Sequence, residues 1–226
     1  AALRKSAAEV IAQGLSREGG LFTPETFPVM PEGFLEKLIP MSYQQRAVEV
    51  MSLYLDDFSK EELEEYAAKA YKVGEKFDSE AVAPVYHLTE GTEILELWHG
   101  PTSAFKDMAL QILPHLLSAS LVKNQEDKTV CILVATSGDT GKAALEGFKD
   151  VDRTKILVFY PKDGVSAVQA LQMQTQQGNN VGVCAVHGNF DDAQTGVKTL
   201  FSDEKLREDL ARRGDFLSSA HSINWG

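Results

Sequence analysis

Three short apolar runs in the second half of the chain restrict its fold more than any other feature. They begin at Thr129, Lys155 and Val181, contain "VCILVA", "ILVFY" and "VGVCAV", and are each followed by a pattern of helical period. The first two are apolar on both sides of the pleat, as strands covered on both faces must be. Strand and helix alternating at this spacing predict a parallel sheet with right-handed crossovers, an α/β fold. Upstream the pattern differs. "SAAEVIAQGL" predicts a helix stopped at "REGG" by Gly19 and Gly20, and "LFTPETFPVMPEGF" predicts irregular chain. Ala47, Val50, Met51, Tyr54, Leu55 and Phe58 mark an amphipathic helix from Ser42. "SKEELEEYAAKAY" opens with a capping box, Ser59 and Glu62, and predicts a solvated outer helix. "PVYHLT" and "TEILEL", on either side of Glu90 and Gly91, predict a strand pair.

Between that pair and the first apolar run lies "HGPTSAFKD". Thr102 and Ser103 are good N-cap residues, and Met108, Ala109, Ile112, Leu113, Leu116 and Leu117 recur at helical spacing. This predicts a helix with Lys106 in its first turn and a kink at Pro114. An ammonium at the positive end of a helix dipole is disfavoured. Either Lys106 reaches solvent and pairs with Asp107, or its amine is made available for carbonyl chemistry beside Phe105.

The first apolar run ends at Ala135 and turns through "TSGDTG" into a helix of small residues, Ala143 and Ala144. Ligands of open α/β sheets bind beyond the carboxyl ends of strands. Two glycines let a ligand approach the backbone, the amides of a helix start favour an anion, and Thr136, Ser137 and Thr140 add hydroxyls. A carboxylate or phosphate is the natural guest; a turn that only connects strand to helix uses the same residue types. The loop is not a Walker A loop, because Thr136 stands at the first glycine position and Ala143 at the magnesium-binding hydroxyl. Gly138 and Gly141 also lack the spacing of a dinucleotide fingerprint.

Charge narrows the partners. Lys plus Arg number 22 against 33 Asp plus Glu, a net charge of -11, so nucleic acid and anionic membrane surfaces are poor partners. No apolar run is long enough to cross a membrane, and no signal-peptide pattern opens the chain, which points to a cytoplasmic location. The two cysteines, Cys131 and Cys184, fall inside apolar runs and are expected as buried thiols. The five histidines, among them His99, show no metal-ligand spacing, and no metal site is expected.

"HGPTSAFKD" followed some thirty residues later by "ATSGDTG" resembles the fold-type II pyridoxal-phosphate enzymes, and within them the threonine synthases that carry "SGDTG". "GLSREGGLFTPETFP" and "SSAHSINWG" resemble further segments of that family. The resemblance implies a lyase of threonine biosynthesis that converts O-phosphohomoserine and water into threonine and phosphate. It implies pyridoxal 5'-phosphate as cofactor, with Lys106 as the catalytic residue that links to it and shuttles protons among substrate carbons. Ser137 and Asp139 would lie against the cofactor. Thr136, Ser137, Gly138 and Thr140 would face the substrate carboxylate, and His99, Thr102 and Ser103 would line the mouth of the site. Related enzymes such as O-acetylserine sulfhydrylase carry Asn where Asp139 stands.

That family extends well beyond the "SINW" segment, so the chain is expected to be a truncated N-terminal portion, inactive and weakly cofactor-binding alone. The remaining part of the same chain would be its partner, besides a phosphorylated amino acid, and a homodimer is a further expectation. "HGNFDD" is expected as an ordinary strand-to-helix connection, not as the cradle of the cofactor phosphate. The expected architecture is an N-terminal helical region with the first strand (1–91), a small open parallel-sheet domain bearing the lysine and the SGDTG loop (92–215), and the start of a larger domain (216–226). Two rival functions stand: a threonine synthase-like phospho-lyase that releases a keto acid, and a non-catalytic anion-binding module.

Overall fold

A computed structural model describes residues 4–14, 16 and 21–218. It is an α/β fold built on a parallel sheet. The sheet contains β3 (Thr129–Ala135), β4 (Thr154–Pro161), β5 (Val181–Val186) and β6 (Asp215–Ser218), in the order β5-β4-β3-β6 with every pairing parallel. The first three are the strands expected from the apolar runs. The fourth, β6, is short and bears Asp215 and Ser218 at its ends, so it shows no such run.

Both faces of the sheet are covered at β3 and β4, which explains their continuous apolar runs. On one face Ile132, Val134, Ile156, Val158 and Tyr160 pack against helices α6 (Leu113–Lys123), α7 (Asp139–Phe148) and α8 (Ala167–Gln174). On the other face Leu133, Ala135, Leu157 and Phe159 meet α9 (Phe190–Ser202) through Ala193 and Val197. A last helix, α10 (Glu204–Arg212), leads into β6.

The helical part upstream has its own core. Helices α1 (Ala7–Gln13), α2 (Phe34–Leu38), α3 (Tyr43–Met51) and α4 (Lys60–Ala70) precede a hairpin of β1 (Val85–Thr89) and β2 (Thr92–Leu95). Ala8, Val48, Leu63, Ala67 and Phe77 form a buried cluster closed by Ile112 and Leu116. Thus α4 is acidic and solvated on one side only; Leu63, Ala67 and Ala70 bury its other stripe. Ser59 and Glu62 make the expected capping box. Helix α1 ends earlier than expected, at Gly14, which takes φ 73°. Gly19, Gly20 and the "SINW" stretch lie outside the described residues.

Two expectations require correction. Cys131 is half-buried and Cys184 exposed, neither in a disulfide. Cys184 pairs with Phe159 across β5 and β4, so it shares the α9 face, but β5 is the sheet's edge. The lysine helix is also not continuous. It divides into α5 (Asp107–Leu110) and α6, with Pro114 in the first turn of α6, where its missing N–H breaks no helical bond. The Leu110 carbonyl, which Pro114 cannot bond, lies against α7: a Cβ on Gly147 would stand 2.0 Å from that oxygen.

Candidate active site

The segment 99–107 is shaped by an aspartate that follows the lysine. Asp107 is fully buried and accepts hydrogen bonds from Thr102, from its backbone amide at 2.8 Å and its hydroxyl at 2.7 Å. Thr102 and Ser103 therefore do not cap the helix; Lys106 itself occupies the N-cap position of α5. Ser103 adopts φ 55°, which turns the chain back on itself, and a side chain at Gly100 would collide with Asp107, Cβ to Cβ at 2.6 Å. Burial pushes the Asp107 carboxyl upward, opposed by the Thr102 bonds and by the charge of Lys142.

Lys106 emerges from this loop half-buried, its Nζ 4.4 Å from the centre of the Phe105 ring, a cation–π distance. The Asp107 carboxylate for its part serves Thr102 with both of its oxygens.

The SGDTG turn closes β3 onto α7. Thr136 is buried, and its hydroxyl accepts from the amides of Gly138 and Gly141, both at 2.9 Å. Two of the amides expected to face an anion thus hold the turn together. Gly138 sits at φ 137°, a conformation that L side chains rarely adopt, while Ser137 is exposed and Thr140 half-buried. Asp139 begins α7. It accepts from Gln169 Nε2 at 2.9 Å and lies 3.3 Å from Lys142 Nζ. Gln169 and Lys142, with a contribution from the Lys106 charge, hold its carboxyl below the ordinary aspartate range.

These two motifs converge. Helix α5 touches α7 at Gly147, and α8 reaches both motifs, Gln169 at Asp139 and Gln172 at the Thr102 carbonyl, 3.5 Å away. His99 is turned toward other partners: its Nδ1 is 2.6 Å from Asp78 and its Nε2 2.7 Å from Glu96. These two carboxylates, Glu96 foremost, raise the affinity of the ring for a second proton. Gly188 and Asn189 form a helix cap, Asn189 exchanging hydrogen bonds with Asp192. Among the described residues no group of His, Cys, Asp and Glu could hold a metal ion.

From the sequence Asp107 is named only as an alternative partner of Lys106, and Lys142 and Gln169 are not singled out. Lys142 stands one helical turn from Asp139, and Gln169 completes a capping box with Ser166, so each carried a local signal. What they touch across the fold did not.

Residues 1–71 match the family described as "Threonine synthase N terminus". Threonine synthase-like 1 of Homo sapiens is 38% identical over 96% of this chain and 30% of its own. Threonine synthase of Pseudomonas aeruginosa is 38% identical over 96% of this chain and 44% of its own. The chain matches the N-terminal portion of threonine synthases. The fold agrees: a PLP-bound threonine synthase from Brucella melitensis superposes with a TM-score of 0.87 at 34% identity, covering 97% of this chain and 46% of that one. The chain thus spans less than half the length of these threonine synthase relatives. Among its described residues no helix is long and apolar enough to cross a membrane.

Proposed function

We propose that this chain supplies the lysine-bearing part of a pyridoxal-phosphate-dependent threonine synthase, which converts O-phosphohomoserine and water into threonine and phosphate. The observation that carries the reading is the packing that brings the lysine loop and the SGDTG turn together, with α8 touching both, Gln169 at Asp139 and Gln172 at the Thr102 carbonyl. The donor set fits the cofactor at its reactive end. A half-buried primary amine on an aromatic face suits an aldehyde, and exposed or half-buried hydroxyls at Ser137 and Thr140 suit an anionic substrate.

When bound, pyridoxal phosphate supplies an electron sink for the reacting amino acid. The chain's own residues then have separable tasks. Lys106 holds the cofactor and moves protons between substrate carbons, for which its flexible four-carbon stem is suited. Ser137, Gly138 and Thr140 receive the substrate carboxylate. Thr136 acts on that anion through the turn it ties together. An ionised Asp139 favours a protonated group across from it. Thr102 and Ser103 shape the mouth through the Asp107 latch, with His99 at its outer side.

The test is turnover of O-phosphohomoserine by a full-length protein that carries this chain. Threonine and phosphate in equal amounts, abolished by Lys106→Ala, are the expected result. A keto acid in place of threonine would assign the phospho-lyase reaction instead. Ligand binding that survives Lys106→Ala with no turnover in the parent protein would assign a binding module.

A further inference from the structure

Helix α8 faces both motifs with two glutamines three residues apart, on one side of the helix. Gln169 completes the capping box at its start: its Oε1 accepts from the Ser166 amide at 3.0 Å, while its own amide N–H donates to Ser166 Oγ at 3.2 Å. That bond decides the orientation of the side-chain amide. The oxygen is committed to Ser166, so the NH2 group must face outward, where it meets Asp139 Oδ1 at 2.9 Å. The same side chain lies over the turn, since a Cβ on Gly138 would stand 2.4 Å from Gln169 Cδ. Three residues on, Gln172 reaches the Thr102 carbonyl, and its own Oε1 is buried without a partner.

We propose that Gln169 is a positioning residue, which fixes the direction of the Asp139 carboxylate toward the Lys106 loop. A neutral amide serves better here than a second charge would. It donates one charge-assisted bond, keeps its cap, and leaves the carboxylate negative. The groups that touch Asp139 are Gln169 from α8 and Lys142 one turn along α7, and the charge of Lys106 adds a smaller effect. Only the consequence for catalysis rests on the threonine synthase reading; the contact itself does not.

Gln169→Glu separates this role from a structural one. Glutamate keeps the length, the cover over Gly138 and the oxygen that Ser166 requires. It replaces the donor facing Asp139 by a like charge. The measurement is the titration of the Asp139 carboxyl by carbon NMR in the chain as it stands. In the parent the midpoint falls below the ordinary 3.8, and Gln169→Glu is expected to raise it by about one pH unit, tenfold in proton affinity. Gln169→Leu, which removes the bond without adding a charge, serves if the glutamate variant fails to fold, and should shift it the same way by less. An unmoved Asp139 in the folded variants overturns the proposal. Turnover by the full-length protein is a separate arm. A shifted Asp139 in a protein without O-phosphohomoserine activity supports the positioning and removes the functional reading. An unmoved Asp139 in an active enzyme removes the positioning alone.

Discussion

The Asp107 carboxylate accepts from both the backbone amide and the hydroxyl of Thr102, at 2.8 and 2.7 Å, in a site with no solvent exposure. A two-point contact of this kind makes a rigid loop from the stretch that the sequence predicts to cap and open a helix. It also makes the loop sensitive to loss of one hydroxyl. Thr102→Val takes the hydroxyl donor from a buried carboxylate oxygen and should destabilise the chain by about 1–3 kcal/mol, whereas Thr102→Ser should stay close to the parent. Urea unfolding of both variants checks this.

Gly147→Ala should be among the most damaging single-methyl additions in the chain. Its Cβ would stand 2.0 Å from the Leu110 carbonyl oxygen, a backbone atom that has no rotamer by which to move away. Separating α5 from α7 is the only relief, at about 1–3 kcal/mol or more. Alanine at Gly196, which meets nothing within 4 Å, is the matched control for equilibrium unfolding.

Phe148 is fully buried in the cluster that joins α7 to the sheet. Phe148→Ala should cost about 3–5 kcal/mol, the range for a large aromatic removed from a packed core. A thermal melt followed by near-UV circular dichroism reads both the loss and its effect on tertiary packing.

His99 gives the chain a pH-dependent tie. Its bonds to Glu96 and Asp78 raise the folded-state proton affinity above the ordinary 6.5, so the charged ring contributes stability that is fully present below 6.5. That contribution is lost as pH rises through the folded value. In His99→Gln the corresponding slope should vanish from unfolding midpoints taken between about pH 6 and 9, the window in which a histidine changes charge. Proton NMR of the His99 ring should show a midpoint above 6.5, lowered by Glu96→Gln.

The sequence made the sheet and the outer helix legible because their signals are local: β3 and β4 are apolar on both faces, and the capping box at Ser59 lies within four residues. The paired motifs around Lys106 and Gly138 were legible in the same way. What escaped was set by distant contacts. The break before α6 follows from Leu110 meeting Gly147, with Pro114 only hinting at it. Cys184 resembles a core thiol until its strand proves to be the edge. Gln169 is read readily as a cap, but the second end of its amide finds Asp139 only through the fold.

The weld between Leu110 and Gly147 has a mechanical corollary. Lys106 is anchored at the head of α5 and Asp139 at the head of α7, so both ride on one block of the molecule. Whatever swings when a ligand enters, the two helix heads are carried as passengers of the same vehicle, and the adjustable stem of Lys106 is left to set the spacing between amine and carboxylate.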